Sequence, residues 1–236
     1  MTNSSSVVLV FGGSRGIGAA CCQAFAGAGW RVASTYTAEP PQQPVGRCYK
    51  VDVRDASGVA DTFEKVASDF GSAPLAVIAN AGINRPPRAV AEFPPADFRD
   101  LVDVNLVGSF NVLSEAARRV LNGGSITALT TSMVRVGIPG GGPYTATKAA
   151  VESLIRSMSK ELAGREIRVN AVAPGPVDTD LFRAGETDEA KQRSAAPSPL
   201  NGIGRTDEVA DVVLFIASQQ ASWIPGQVIQ PNGGME

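Results

Sequence analysis

The chain has 236 residues, of which 44% are hydrophobic and 19% charged, a balance typical of a folded globular domain and not of a disordered protein. Its net charge of -2 excludes the strongly basic surface of a dedicated nucleic-acid binder. Histidine is absent and the three cysteines form no Cys-x-x-Cys pair, which excludes a Cys/His zinc site and a His-based catalytic triad, so no metal is expected.

Short apolar segments alternate with longer segments of helical periodicity along the chain. The predicted strands are Val7–Phe11, Arg31–Thr35, Cys48–Val53, Leu75–Ala79, Ile126–Leu129, Ile167–Val172 and Gln227–Gln230. The predicted helices are Ile17–Phe25, a helix that Asp55 caps and that runs to Phe70, Asp97–Leu121 with a bend at Gly108, Pro143–Leu162, and a helix that Thr206 caps and that runs to Ala217.

This alternation predicts an α/β fold in a single domain over residues 1–236: a Rossmann-type, doubly wound parallel sheet of about seven strands. The crossover between the second and third strands contains Pro40, Pro41 and Pro44, so it is predicted to be shortened and to lack a helix. Residues 180–205 are polar and rich in Pro and Gly, which predicts a loop or a lid.

A glycine-rich turn, Gly12-Gly13-Ser14-Arg15-Gly16-Ile17-Gly18, joins the first strand to the first helix. Glycine tolerates the positive φ of a tight turn and lets the backbone approach a phosphate closely. The N-terminus of the following helix offers free N–H groups and a partial positive charge to a pyrophosphate. The turn therefore predicts a dinucleotide site contacted by Gly12, Ser14, Arg15, Gly16, Ile17 and Gly18.

The spacing Gly12-x-x-x-Gly16-x-Gly18 resembles that of the short-chain dehydrogenase/reductase family, in which Thr commonly stands in place of Phe11. The resemblance covers nearly the whole chain and is greatest to reductases of the 3-oxoacyl-(acyl-carrier-protein) type. It implies that Asp52 and Val53 meet the adenine ring and that the turn Asn80-Ala81-Gly82 also contacts the cofactor. These residues lie at the C-terminal ends of predicted strands, where open α/β sheets bind their ligands.

The residues after the second strand favour NADP(H) over NAD(H). NAD-binding proteins of this fold usually carry an acidic residue there for the ribose 2′-hydroxyl. This chain has no carboxylate before Glu39, and Arg15 offers a cation for a 2′-phosphate. Ser14 and Thr37 add hydroxyl donors.

Tyr144 and Lys148 are four residues apart in a predicted helix, so their side chains share one face. A nearby cation lowers the pKa of a phenol, and Tyr144 would then exchange a proton with a substrate oxygen. The pair resembles the catalytic Tyr and Lys of the family. The resemblance also implies that Asn105 bends its helix and relays protons from Lys148.

The family carries a serine thirteen residues before its tyrosine, where it holds the substrate oxygen; here that position is Thr131, and Ser132 lies twelve residues before Tyr144. Both hydroxyls can donate a hydrogen bond, so both remain candidates, with Ser132 favoured by its chemistry. The resemblance further implies that the turn from Pro174 and Gly175 fixes the nicotinamide carboxamide, through the backbone of Val177 and the hydroxyl of Thr179.

These features predict an NADPH-dependent reductase that converts a carbonyl to a secondary alcohol, or catalyses the reverse oxidation, on a small molecule or a 3-oxoacyl thioester. Candidates for a basic surface that an acidic acyl carrier would contact are Arg85, Arg88, Arg118 and Arg119. The alternative is a catalytically idle NAD(P)-binding regulatory protein, against which the Tyr144 and Lys148 pair argues.

No apolar run approaches the roughly 20 residues of a membrane span, and the first residues lack the basic start and apolar core of a signal peptide. With an odd number of thiols, these features lead us to expect a cytoplasmic protein without membrane or nucleic-acid partners. The resemblance implies a homodimer or homotetramer formed through two long helices and the C-terminal strand.

Overall fold

A sheet of seven parallel strands forms the centre of the protein, whose structure, a computed structural model, describes residues 6–183, 196, 198–200 and 202–235. The strands are β1 (Val7–Phe11), β2 (Arg31–Tyr36), β3 (Arg47–Lys50), β4 (Ala76–Ala79), β5 (Ser125–Leu129), β6 (Arg168–Val172) and β7 (Val228–Ile229). The α-helices of the described residues are α1 (Gly16–Gly27), α2 (Ala56–Phe70), α3 (Pro95–Leu101), α4 (Ser109–Arg119), α5 (Met133–Val136), α6 (Gly142–Glu161), α7 (Asp180–Arg183) and α8 (Thr206–Ala217).

The strand order is β3-β2-β1-β4-β5-β6-β7, with every neighbouring pair parallel. Val8 of β1 pairs with Val32 on one side and with Ala76 on the other. The chain therefore reverses its direction of winding between β1 and β4, and a crevice for ligands opens outside the carboxyl ends of the strands at such a point. The predicted Rossmann-type fold with seven strands is confirmed.

The side chains of β1 show how the sheet is buried on both faces. Val7, Leu9 and Phe11 join an apolar core that also contains residues of α2, α4 and α6. Val8 and Val10 point to the other face, where the core is completed by residues of α1 and α8. Because both faces are covered by helices, the strand has the continuous apolar sequence seen in buried parallel sheets.

Several predicted boundaries are corrected. β3 ends at Lys50, so Asp52 and Val53 lie in the turn after the strand and not at its end. Thr206 is the first residue of α8 and not its cap; the carboxylate of Glu208 instead accepts a hydrogen bond of 2.7 Å from the backbone N–H of Arg205. The short crossover from β2 to β3 contains no helix, as predicted.

The helix predicted over Asp97–Leu121 is divided by a π-helical segment, Val102–Gly108, that lies between α3 and α4. The predicted bend at Gly108 is the last residue of this segment, and a Cβ there would lie 2.5 Å from Cγ2 of Val53. Glycine therefore permits a close approach between the helix and the turn after β3. Single π turns of this kind are frequent at functional sites.

The lid predicted over residues 180–205 falls mostly outside the described residues, because 184–195, 197 and 201 are not among them. At its two ends the structure describes α7 and a backbone bridge between Val177 and Gly204. In the part of the chain that is described, no helix combines the length and the apolar character needed to cross a membrane.

Candidate active site

A cleft of about 560 Å³ lies at the carboxyl ends of the strands around the reversal point between β1 and β4. Its volume is in the range of small-molecule and cofactor sites. It brings together most of the residues predicted to bind a cofactor, namely Gly12, Ser14, Arg15, Gly16, Ile17, Thr37, Asp52, Val53, Asn80, Ala81, Gly82 and Thr179. The other residues that line it were not predicted as cofactor contacts; they are Tyr36, Ala38, Glu39, Arg54, Ile83, Arg85, Asp100, Val104 and Asp180.

The glycine turn is held tightly between β1, α1 and the turn after β4. Gly12 has a φ of +79°, and its backbone N–H donates to Oγ1 of Thr35 at 3.0 Å. The carbonyl of Gly12 accepts a hydrogen bond of 2.8 Å from Nδ2 of Asn80. A Cβ on Gly18 would lie only 2.0 Å from the same carbonyl. Gly18 therefore allows α1 to pack on the turn, although it does not line the cleft.

The cleft fits the phosphates of a dinucleotide at the start of α1. Arg15 precedes the helix, and its side chain provides no cap for the first N–H groups. These N–H groups are available to an anion, as is the exposed Arg15 side chain, which has no partner within the described part of the chain. Across the turn, a Cβ on Gly16 would lie 3.5 Å from Cγ2 of Thr179, so Thr179 closes the cleft on that side.

Asp52 forms an ion pair with Arg54, a residue that the sequence analysis did not single out. Nε of Arg54 lies 3.0 Å from each carboxylate oxygen of Asp52, and the backbone N–H of Arg54 donates to Oδ1 at 3.0 Å. The side-chain hydrogen bond from Arg54 lowers the pKa of Asp52, which keeps the carboxylate ionised. Nδ2 of Asn111 in α4 donates to the carbonyl of Val53 at 2.9 Å and anchors this turn.

Tyr144 and Lys148 lie on the first turns of α6, and Nζ of Lys148 is 5.9 Å from the centre of the Tyr144 ring. Nζ donates a hydrogen bond of 2.9 Å to the carbonyl of Leu129, the last residue of β5. Burial raises the pKa of Tyr144 to about 12 and lowers the pKa of Lys148 to about 8. The predicted lowering of the Tyr144 pKa is therefore wrong, because burial favours the neutral phenol.

Asn105 is fully buried inside the π-helical segment. Its Oδ1 accepts a hydrogen bond of 2.8 Å from the N–H of Ile83, and its Nδ2 donates to the carbonyl of Ile83 at 2.9 Å. Nδ2 also lies 3.3 Å from Oγ1 of Thr147 in α6. A Cβ on Gly82 would lie 3.2 Å from Oδ1 of Asn105 and 3.3 Å from Nζ of Lys148, so a glycine at 82 lets these two polar groups face the turn after β4.

The two candidate hydroxyls, Thr131 and Ser132, are both buried in the segment between β5 and α5. Oγ1 of Thr131 accepts a hydrogen bond of 3.3 Å from the N–H of Met133. The side-chain hydroxyl of Ser132 has no partner among the described residues, whereas its backbone N–H donates to the carbonyl of Pro174 at 3.0 Å. The geometry thus leaves the Ser132 hydroxyl available to a substrate oxygen.

The turn after β6 is packed against both of its neighbours. The N–H of Gly175 donates to the carbonyl of Pro231 at 3.1 Å, and a Cβ on Gly175 would lie 2.9 Å from Cα of Asn232. Val177 is buried, and Oγ1 of Thr179 accepts a hydrogen bond of 3.1 Å from the N–H of Phe182 in α7. Pro174, Gly175 and Val177 lie outside the lining of the cleft itself. The predicted catalytic residues are also outside this lining, namely Tyr144, Lys148, Ser132, Thr131 and Asn105.

Three of the four arginines that are candidates for a basic surface are paired with acidic side chains. Arg85 is paired with Asp100 at 2.8 Å. Arg118 and Arg119 are both paired with Glu115 at the C-terminal end of α4, next to the amino ends of β4 and β5 and away from the cleft. The exposed Arg88 is the exception, since its side chain has no partner within residues 6–183 and 202–235.

Comparisons with known proteins agree with this architecture. Residues 12–236 match the model of a family described as Enoyl-(Acyl carrier protein) reductase. The chain is 36% identical to a 3-oxoacyl-(acyl-carrier-protein) reductase of Staphylococcus aureus, over 100% of this chain and 98% of the relative. It is 35% identical to an NADPH-dependent aldehyde reductase-like protein of Arabidopsis thaliana, over 97% of this chain and 93% of the relative.

Among solved structures, a short-chain dehydrogenase of Burkholderia cenocepacia in complex with NADP superposes with a TM-score of 0.89 at 28% identity, over 100% of this chain and 99% of the other. The sequence relatives and the shared architecture lead to one conclusion. The chain belongs to the short-chain dehydrogenase/reductase family, and it is an NAD(P)-dependent oxidoreductase that acts on CH–OH and C=O groups.

Proposed function

We propose that the protein reduces a carbonyl group to a secondary alcohol with NADPH, and that Tyr144, Lys148 and Ser132 form its catalytic group. The observation that supports this most directly is the hydrogen bond from Nζ of Lys148 to the carbonyl of Leu129. It joins α6, the helix that carries Tyr144, to the end of β5, the strand after which Ser132 follows. The carboxyl ends of the strands are where open α/β sheets place their ligands.

Tyr144 is the proton donor in this proposal. When bound, the cofactor supplies a hydride to the carbonyl carbon. A negative charge then develops on the carbonyl oxygen, and the phenol of Tyr144 delivers its proton there, which completes the alcohol. Because burial raises the pKa of Tyr144 to about 12, the phenol carries this proton at neutral pH. Ser132 donates a hydrogen bond to the same oxygen, and the Lys148 ammonium stabilises the charge that develops.

The cofactor site favours NADPH over NADH in our proposal. Arg15 lines the cleft with an exposed guanidinium group that can pair with a 2′-phosphate. Thr37 lines the same cleft, although its hydroxyl donates to the carbonyl of Val51 at 3.3 Å and must turn to meet a phosphate. Ser14 adds a second hydroxyl, and Asp52 with Val53 would contact the adenine ring. The binding of NADP by the Burkholderia relative supports this assignment.

We propose a 3-oxoacyl thioester as the substrate, in line with the Staphylococcus aureus relative. Apolar side chains beside the start of α6 offer contacts for an acyl chain: a Cβ on Gly141 would lie 2.8 Å from Cγ1 of Ile138, and one on Gly142 would lie 3.6 Å from Cγ2 of Val90. Val90 is 76% exposed.

Association into a homodimer or homotetramer is part of the proposal. Phe98, Val107 and Phe110 are exposed on the outer side of the segment that runs from α3 to α4. Trp223, near the C-terminal strand, is 94% exposed. Large apolar side chains in such positions favour contact with a second copy of the chain. We expect the enzyme to work in the cytoplasm, where its cysteines stay reduced.

The experiment that tests this function follows NADPH oxidation by its near-ultraviolet absorbance with 3-oxoacyl thioesters, simple ketones and aldehydes as substrates. We expect turnover that Tyr144→Phe lowers by about 10²–10⁴-fold without weakening NADPH binding. Tight NADPH binding with no turnover on any substrate would instead support the catalytically idle alternative. Full activity of Tyr144→Phe would contradict the assigned proton donor.

A further inference from the structure

Glu152 is a buried acid that the proposed reaction does not use. It lies on α6, four residues after Lys148 and eight after Tyr144, so the three side chains follow one another along one face of the helix. Glu152 is only 6% exposed. Its Oε1 accepts a hydrogen bond of 3.0 Å from Oγ1 of Thr130, the first residue after β5.

Two successive turns of α6 are thus bonded to two successive residues at the end of β5. Lys148 donates to the carbonyl of Leu129, and Glu152 accepts from the side chain of Thr130. On the other side, the backbone N–H of Thr130 donates to the carbonyl of Val172 in β6 at 2.8 Å. Thr130 is therefore fixed from both sides, two residues before Ser132.

A carboxyl group at this place is unfavourable for stability. Burying it costs free energy, and burial accordingly raises the pKa of Glu152. The hydrogen bond from Thr130 offsets part of this cost, whereas the guanidinium of Arg156 lies 3.9 Å from Oε2 and contributes little. The neighbouring positions Val151 and Ile155 are apolar core residues, so a side chain without charge would pack here at a lower cost.

We propose that Glu152 is a positioning residue for the reduction: through Thr130 it fixes the end of β5 so that the Ser132 hydroxyl faces the same substrate oxygen as Tyr144. This inference rests on the proposed function. Lys148 cannot fix the strand end alone, because its ammonium must also stabilise the charge that develops on the substrate oxygen. The bond between Glu152 and Thr130 is the second attachment of α6 to this strand end, and it takes no part in proton transfer.

Three variants separate positioning from charge and from packing. Glu152→Gln keeps an acceptor oxygen in place and removes the charge, Glu152→Leu removes the acceptor at similar volume, and Thr130→Val removes the donor. We expect Glu152→Gln to retain kcat within about threefold, whereas Glu152→Leu and Thr130→Val lower kcat by about tenfold or more because the hydroxyl is misplaced. The Kd for NADPH, measured by fluorescence, should stay unchanged in all three.

The double variant Thr130→Val with Glu152→Leu should be no slower than the slower single variant, because both changes remove one bond. Ser157 and Glu161 provide a matched control: their hydroxyl and carboxylate are bonded at 2.7 Å on the same helix, away from β5. Glu161→Leu should leave kcat unchanged. If Glu152→Leu does not fold, the comparison of Thr130→Val with Thr130→Ser tests the inference instead. Serine keeps the hydroxyl donor, so Thr130→Ser should retain the wild-type kcat.

Wild-type kcat in Glu152→Leu or in Thr130→Val would overturn this inference while leaving the proposed function intact. An equal loss in Glu152→Gln and Glu152→Leu would also overturn it, because the charge and not the hydrogen bond would then matter. A wild-type protein that binds NADPH but reduces no carbonyl would contradict the proposed function itself, and this inference with it.

Discussion

The ammonium group of Lys148 donates a hydrogen bond of 2.9 Å to the backbone carbonyl of Leu129, from a side chain that is only 4% exposed. A single carbonyl replaces little of the hydration that a charged amine has in water, and burial lowers the pKa of Lys148 to about 8. The group that we assign to charge stabilisation thus loses its proton close to physiological pH. Two predictions concern this one buried charge.

The first prediction is a pH dependence of the reduction. We expect kcat/KM for NADPH to fall as the pH rises through about 8, because neutral Lys148 no longer stabilises the developing negative charge. Tyr144 cannot cause this fall, since its pKa is raised to about 12. Steady-state rates between pH 6 and 10 test it. Lys148→Arg, which stays charged over this range, should lack the fall even if its overall rate is lower.

The second prediction concerns stability. Between the lowered pKa of about 8 and the ordinary value of 10.5, the unfolded chain binds a proton at Lys148 that the folded protein does not, so stability rises with pH in this window. The penalty is fully present below pH 8 and is relieved as the pH approaches 10.5. We expect the wild type to gain roughly 2 kcal/mol relative to Lys148→Met between pH 7 and 10 in urea unfolding. A constant difference would show that this ammonium is not desolvated.

The third prediction distinguishes the two hydroxyls after β5. We expect Ser132→Ala to lower kcat by about 10²-fold, because one hydrogen bond to the developing oxyanion is lost. Thr131→Val should change kcat only slightly, since the Thr131 hydroxyl is bonded to the N–H of Met133. Steady-state kcat at saturating NADPH measures both. The reverse order of effects would assign the role to Thr131.

The fourth prediction concerns the choice of cofactor. We expect Arg15→Ala to raise the Kd for NADPH by about 10-fold or more and to leave that for NADH almost unchanged, because only NADPH carries the 2′-phosphate. Fluorescence titration of the two reduced cofactors measures this. A wild type that prefers NADH, together with no effect of Arg15→Ala, would contradict the assignment.

The architecture could be predicted because the apolar pattern is dictated by burial. β1 is apolar at every position since helices cover both of its faces, and the short crossover after β2 is evident from its prolines. The presence of Asp52 and Asn80 in the cleft could be predicted because the carboxyl ends of parallel strands meet at one edge of the sheet.

The features of the site that could not be predicted depend on distances between residues that are far apart in the sequence. The sequence gives the spacing of Tyr144 and Lys148 but not their burial, and it is burial that determines the direction of both pKa shifts. The contact between Glu152 and Thr130 spans 22 residues and appears only when α6 packs on β5. The partners of Arg85, Arg118 and Arg119 likewise become evident only in the folded chain.

The fifth prediction concerns Arg54, which holds both carboxylate oxygens of Asp52 in the lining of the cleft. We expect Arg54→Ala to raise the Kd for NADPH by a few-fold, because Asp52 loses the partner that orients its carboxylate. The effect should stay within about fivefold, since both side chains are partly exposed and such pairs contribute at most about 1 kcal/mol. kcat should not change.

Binding of cofactor fragments shows which half of NADPH the Arg54→Ala substitution affects. Arg54→Ala should weaken 2′,5′-ADP by the same factor as NADPH and leave nicotinamide mononucleotide unaffected, because only the adenosine half would meet Asp52. Arg47→Ala is the matched control: Arg47 pairs with Asp69 at 3.0 Å with similar exposure and does not line the cleft. Equal weakening by Arg54→Ala and Arg47→Ala would show that the loss follows from a general change in surface charge and not from the orientation of Asp52.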